Sequence, residues 1–296
     1  MDMIFYTILI PFRGETGLLN RLLSTIPDRE DMEIVIIDNN PRENALSPGY
    51  FSGRKNVFVF YSDPVRGAGH ARNVGLRQAR GKWVIFADAD DFFHLNAFPV
   101  FDSYKDADAD LIYFCADSCY SESGKPANRG KYISQLVERY LSGRISLDSF
   151  KFKYITAPNK MIRTRLLCEN RIEYEEIVSG DDILFSIRTA YFAQKIRVDR
   201  SIVYCITVSD KGDSITQIGA KDLRYLESDY TAMIRANLFL KSVGKSVYQN
   251  PIFRFLWRSR RFGLKETFRF IRIARENGIS VLIGWRRFYK ICKWIK

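Results

Sequence analysis

The chain has 296 residues, 46% of them apolar, enough for one large domain with an appendage or for two small ones. Long polar tracts and internal repeats are absent, which excludes a disordered or a solenoid chain. The net charge of +12 is unevenly placed. Pro251 to Lys296 holds thirteen Lys or Arg against two acids, Glu266 and Glu276, so the basic character belongs to that tail.

Met1 to Thr7 lacks a basic leader pattern, and no stretch approaches the ~20 apolar residues of a transmembrane helix, so a cytoplasmic protein is expected. The five cysteines, 115, 119, 168, 205 and 292, are odd in number and form no CxxC pair, which fits reduced core thiols. With His70 and His94 as the two histidines, a zinc site is not expected.

Ile4 to Ile10 is a β-branched apolar run ended by Pro11 and predicts a buried strand. Leu18, Leu19, Leu22, Leu23 and Ile26 recur at helical spacing before Pro27. Further buried strands are predicted at Glu33 to Asp38, Val57 to Tyr61, Trp83 to Ala87 and Leu111 to Cys115, with a helix over Ala68 to Ala79. Ser121 to Gly130 reads as a loop, Lys131 to Leu141 and Asp181 to Phe192 as helices, and Ile202 to Val208 as a strand. From Lys221 onward the pattern is helical, with a soft boundary near Gly219-Ala220. Strands alternating with helices indicate an α/β domain with a mainly parallel sheet, which binds ligands at the carboxyl ends of its strands. Arg13, Asp38, Asn39, Asp88 and Asp90 fall at such ends.

Asp88-Ala89-Asp90-Asp91 follows a fully apolar strand. Three carboxylates in four residues repel one another, and such clusters serve either a cation such as Mg²⁺ or Mn²⁺ or a solvated turn in which Asp91 caps a succeeding helix. Gly180-Asp181-Asp182 opens an apolar helical pattern and suits either a helix cap or a general base. Arg66-Gly67-Ala68-Gly69-His70-Ala71-Arg72 is Gly-rich, yet Arg72 stands where the dinucleotide fingerprint needs a small residue, and a nicotinamide oxidoreductase is disfavoured. The segment can still receive phosphate at a helix N-terminus, with Arg66 or Arg72 supplying charge, or form a plain turn. His94 and His70 read as hydrogen-bonded residues rather than metal ligands.

In order along the chain, these segments resemble family 2 of the inverting glycosyltransferases, enzymes of the GT-A nucleotide-sugar-binding fold. The resemblance rests on Ile10-Pro11-Phe12-Arg13, Ile37-Asp38-Asn39, Ala71-Arg72-Asn73-Val74-Gly75, Phe86-Ala87-Asp88-Ala89-Asp90-Asp91, Pro158-Asn159-Lys160 and Gly180-Asp181-Asp182. Tyr204 with Ser214-Ile215-Thr216 resembles the end of the domain. It implies a mainly parallel α/β sheet flanked by helices over residues 1–220; the residue pattern places a helical basic region over 221–296. The resemblance implies that Pro11, Phe12 and Arg13 border the base and ribose, that Asp38 or Asn39 meets the base edge, and that Arg66 and Arg72 contact the nucleotide. Asp88-Ala89-Asp90 matches the family's D-x-D motif, with Asp90 as main ligand of Mn²⁺ or Mg²⁺ and Asp88 on the ribose or the metal's water shell. Asp182, beside Asp181, matches the family's base. The sequence departs from the pattern at Asp181, where Glu is usual, and at Asn39, where Asp is frequent. It also lacks a histidine near Tyr204 to Thr216.

In the tail, Trp285, Phe288, Tyr289, Cys292 and Ile295 share one helical face and Arg286, Arg287, Lys290 and Lys293 the other. Upstream, Arg254, Arg258, Arg261 and Lys265 stand among Phe253, Phe255, Leu256, Trp257 and Phe262. Basic helices with aromatic anchors suit either an anionic membrane surface or packing on the catalytic domain with a solvated charged face, and no nucleic-acid motif is present. The expectation is a glycosyltransferase peripheral to the inner face of the cell membrane. It would use a nucleoside-diphosphate sugar, UDP-linked by expectation, and extend a glycan or lipid-linked glycan in surface-polysaccharide assembly. The rival is a non-catalytic nucleotide-sugar-binding scaffold on the same fold.

Overall fold

The computed structural model describes residues 3–14, 16–47, 49–211 and 221–281. Its framework is an eight-stranded sheet in the order β3-β2-β1-β4-β7-β6-β8-β5, built from β1 (Tyr6–Phe12), β2 (Met32–Asp38), β3 (Val57–Tyr61), β4 (Trp83–Phe86), β5 (Phe92–Phe93), β6 (Leu111–Tyr120), β7 (Lys160–Arg163) and β8 (Ile196–Val208). Neighbours β3, β2, β1 and β4 run parallel, as do β6 and β8. β7 joins the two groups antiparallel to both β4 and β6, and β5 closes the edge antiparallel to β8. The sheet is therefore mixed, with mainly parallel pairing. The apolar runs of β1 and β2 are buried almost throughout because strands at the centre of a sheet covered on both faces leave no side for polar residues.

Helices α1 (Thr16–Ser24), α2 (Gly67–Leu76), α3 (Ala97–Ser103), α4 (Lys131–Leu141), α5 (Leu147–Lys151), α6 (Thr164–Glu169) and α7 (Asp181–Phe192) cover the sheet. The polar pair Thr7 and Glu33 lies inside it: Thr7 Oγ1 donates to Glu33 at 2.6 Å, and Glu33 also accepts from Arg80 N and Nε. Gly81 completes this junction. Its N–H donates to Thr7 Oγ1, and a Cβ there would stand 2.5 Å from Thr7 N, so the turn into β4 admits no side chain.

Beyond the sheet, α8 (Leu223–Ser242), α9 (Phe253–Ser259) and α10 (Leu264–Glu276) confirm the helical pattern expected after Lys221. They form a second core in which Leu226, Tyr230, Met233, Phe255 and Phe270 pack with Ile183, Ile187 and Ala190 of α7. Phe185 of the same helix belongs to the core under the sheet. α7 is thus a wall shared by both cores. The boundary expected near Gly219-Ala220, the Ser214-Ile215-Thr216 segment and the aromatic face from Trp285 to Ile295 lie outside the described residues.

Candidate active site

β4 runs through Ala87 into the Asp88-Ala89-Asp90-Asp91 turn, which neighbouring elements hold by its backbone. Asp88 N–H donates to Tyr204 Oη at 2.8 Å, Thr207 Oγ1 donates to the Asp90 carbonyl at 2.6 Å, and the Arg21 guanidinium donates to the same carbonyl. Asp91 is buried and accepts Thr207 N–H at 2.7 Å. The chain continues from it into β5, so Asp91 caps no helix; it anchors the turn to β8. Burial, with Asp90 and Asp88 close by, pushes its carboxyl well above the usual range.

The carboxylates of Asp88 and Asp90 remain for chemistry, with Ala89 partly buried between them. Asp88 is about a third exposed and gives one oxygen to Arg72 at 2.7 Å. Asp90 reaches the surface; desolvation by the elements around it and Asp88 beside it push its carboxyl above the usual range. Arg129 and Arg21 act in the opposite sense and favour its charged form. Two crowded hard oxygen donors wanting positive charge fit Mg²⁺ or Mn²⁺, which bind through one or two carboxylates together with phosphate oxygens.

Arg72 ties this turn to the second acidic motif. Its guanidinium is buried, donates to Asp88 at 2.7 Å and to Asp181 at 2.6 Å, and lies over the Tyr174 ring at 5.3 Å. Burial works against its charge, but Asp181 and Asp88 outweigh that and hold the guanidinium protonated. The rest of α2 zips to the segment before α7. Asn73 donates to the Tyr174 carbonyl and accepts Tyr174 N–H, His70 Nδ1 meets Glu176 at 3.0 Å, and Arg66 pairs with the same carboxylate. Gly69 permits the approach: a Cβ there would stand 2.1 Å from the Glu175 carbonyl oxygen. The Gly-rich segment packs closely here, and Arg66 and Arg72 are each paired with carboxylates.

Asp181 and Asp182 form the first turn of α7 after Gly180, which sits in the left-handed region at φ 81°. Neither side chain caps the helix. Asp181 is taken by Arg72. Asp182 accepts no hydrogen bond among the described residues; burial and the neighbouring Asp181 push it up to about 7. Lys160 of β7, to which the sequence pattern assigned no role, lies within electrostatic reach of it. Its buried ammonium donates to the Tyr154 and Thr156 carbonyls and to Ser186 Oγ, while burial pulls it down to about 7.

At the ends of β1 and β2 the expected base-binding residues divide. Pro11 is partly buried and Arg13 exposed, with Arg13 donating to the Pro64 carbonyl at 3.2 Å; the Phe12 ring lies in the core and leaves only its backbone at that end. Asp38 is buried and already holds Asn40 N, Asn40 Nδ2 and Leu46 N at 2.6–2.9 Å. Asn39 accepts from Ser62 Oγ at 2.9 Å.

The curled mixed sheet with its acidic turn at a strand end defines the GT-A class of nucleotide-sugar folds. The chain belongs to glycosyl transferase family 2, whose model matches residues 7–169. It is 26% identical over 221 residues to the poly(ribitol-phosphate) beta-N-acetylglucosaminyltransferase TarS of Staphylococcus aureus, covering 72% of this chain and 37% of TarS. TarP of the same species, also named as a poly(ribitol-phosphate) beta-N-acetylglucosaminyltransferase, is 22% identical over 93% of this chain and 81% of its own length. The crystal structure of TarS 1–349 with UDP-GlcNAc superposes with a TM-score of 0.61 at 20% identity, over 89% of this chain and 75% of that one. The mannosyltransferase PcManGT of Pyrobaculum calidifontis, solved with GDP-Man and Mn²⁺, gives 0.55 at 15% identity, over 98% and 81%.

Proposed function

We propose that the chain is an inverting glycosyltransferase that moves a sugar from a nucleoside-diphosphate donor, UDP-linked, to a hydroxyl of a cell-surface glycopolymer. The observation that carries this reading is the Arg72 bridge, which sets Asp88 and Asp181 on one guanidinium and so brings the D-x-D turn beside Asp182. The names of TarS and TarP support a polymer acceptor of the poly(ribitol-phosphate) kind, and the UDP-GlcNAc complex of TarS supports a UDP-sugar.

Asp182 would take the acceptor hydroxyl's proton as that oxygen attacks the anomeric carbon. The bond from that carbon to the diphosphate oxygen breaks with its electron pair, and the nucleoside diphosphate departs from the opposite face. A base titrating near 7 is matched to this task. Asp88 and Asp90 would hold Mn²⁺ or Mg²⁺, which when bound neutralises the departing diphosphate. Arg72 keeps both acidic motifs in register. Pro11, Arg13 and Asn39 would border the base and ribose, with Asp38 shaping the loop behind them. We place the protein at the cytoplasmic face of the membrane, held by its basic C-terminal region; no helix among the described residues is long and apolar enough to cross a bilayer.

Release of nucleoside diphosphate from UDP-, GDP- and dTDP-sugars, with poly(ribitol-phosphate) as acceptor and with Mn²⁺, Mg²⁺ or chelator, tests the reading. Metal-dependent turnover of one donor, lost in Asp90→Asn and in Asp182→Asn, is expected. Donor binding without turnover under every condition would replace the enzyme by a sugar-nucleotide-binding scaffold.

A further inference from the structure

The strand register on the far side of the acidic turn assembles a second set of ligands. Phe92 of β5 pairs with Cys205 of β8, and Cys205 pairs in turn with Asp117 of β6. His94 follows β5 directly, and its N–H donates to the Val203 carbonyl at 3.0 Å, which keeps the residue alongside β8. The result is His94 Nε2 at 2.8 Å from Asp117 Oδ1, with ligand atoms of His94, Asp117 and Cys205 all within 4.8 Å of one another. Cys119, two residues along β6 from Asp117, brings its Sγ to 3.4 Å from Cys205 Sγ.

We propose that His94, Asp117 and Cys205 form the core of a structural site for a zinc-class divalent cation, with Cys119, whose Sγ meets Cys205 Sγ, turning in as the fourth ligand. One imidazole, one carboxylate and two thiolates are the donor set of a borderline metal, not of the hard cation suited to Asp88 and Asp90. Bonds of about 2.0–2.3 Å in a tetrahedron separate neighbouring ligand atoms by about 3.3–3.8 Å. His94 and Asp117, at 2.8 Å, spread by a few tenths of an ångström to take the ion, while Cys119, outside the group of ligand atoms within 4.8 Å of one another, turns its Sγ inward from its place beside Cys205. The four residues line a cavity of about 700 Å³ that gives an ion a path inward. Metal binding at such a site displaces the thiol protons.

Such an ion would staple β5, β8 and β6 immediately behind the turn that carries Asp88 and Asp90. Arg21, on the rim of the same cavity, already donates to the Asp90 carbonyl. The role is mechanical: it fixes the outer edge of the sheet and takes no part in bond making.

The test uses the full chain, purified with reductant and without chelator. Elemental analysis is expected to give one zinc per chain. Loading the chelator-stripped protein with Co²⁺ is expected to give the thiolate-to-cobalt charge-transfer band and the tetrahedral d–d bands, with a rise in melting temperature. Asp88 and Asp90 offer oxygen alone and produce no such band, so Asp90→Asn and the exposed Cys168→Ser keep the spectrum, while Cys205→Ser and His94→Ala lose it. Absence of a sulfur-ligated cobalt spectrum in folded, reduced wild-type protein overturns the proposal, as does a Cys119–Cys205 disulfide persisting under the same reductant.

Discussion

Asp182 and Lys160 share one electrostatic environment, in which burial penalises both charges while each supports the other's ionised form. Activity is therefore expected to rise as pH increases through about 7, following ionisation of Asp182. Lys160→Met removes the supporting cation and should move that limb to higher pH, measured as kcat against pH at saturating donor. Asp182→Asn should lower kcat by about 10²–10⁴-fold while leaving donor affinity nearly unchanged. The same residue makes a stability prediction of definite sign. Its folded value, about 7, lies above the ordinary 3.8, so the folded state binds the extra proton between those limits. Stability from this group is complete below about 4 and is lost as pH rises to about 7. The neutral Asp182→Asn variant should therefore melt higher relative to wild type at pH 8 than at pH 5, and an equal difference at both would contradict the assignment.

At the scale of elements, the packing of α2 against the segment leading to α7 is what joins the two acidic motifs. Gly69→Ala places a methyl group against the Glu175 backbone, which cannot swing away as a side-chain tip can. A loss of about 1–3 kcal/mol by denaturant unfolding is expected, together with weaker donor binding as Arg72 shifts from Asp88. Apolar runs made β1, β2 and β4 legible in the sequence, and periodicity made α4 and α7 legible. β5 has two residues, β7 four and α6 six, too few for any period to show. β8 begins at Ile196, but Arg197, Asp199 and Arg200 hide its first half from an apolar-run reading. Of the site, the motifs themselves were legible because they interrupt apolar segments. Their partners were not. Tyr204 on Asp88 N–H, Thr207 on Asp91 and Lys160 near Asp182 depend on pairings across long stretches of sequence that only the sheet order reveals. For the same reason the two histidines and scattered cysteines gave no hint that His94, Asp117, Cys119 and Cys205 meet.

For the whole molecule, the described part of the aromatic tail holds both buried and exposed side chains. Phe255 and Leu256 are core residues, whereas Trp257, Leu264 and Phe268 stand 62–67% exposed beside Arg260, Arg261, Lys265 and Arg272. Exposed apolar anchors flanked by cations suit an anionic bilayer, where each Lys or Arg contributes about 1 kcal/mol. Sedimentation with phosphatidylserine-containing vesicles should fall several-fold in the Trp257→Ser, Phe268→Ser double variant and with added salt. Unchanged capture would remove these residues from the membrane contact. Truncation after residue 220 is a poorer control, because it strips the cover from Ile183, Ile187 and Ala190.

The shared wall formed by α7 also bears on how chains of this architecture diversify. The first turn of that helix is held by Arg72 through Asp181, and its flank is bound to the helices packed beyond it. Exchange of C-terminal regions between relatives by recombination would leave Ile183, Ile187 and Ala190 facing a foreign partner, with the misfit felt at Asp182. New appendages are therefore expected to be inherited together with matching substitutions on that flank, so that lineage history is written on the outer face of α7 while its amino end stays fixed.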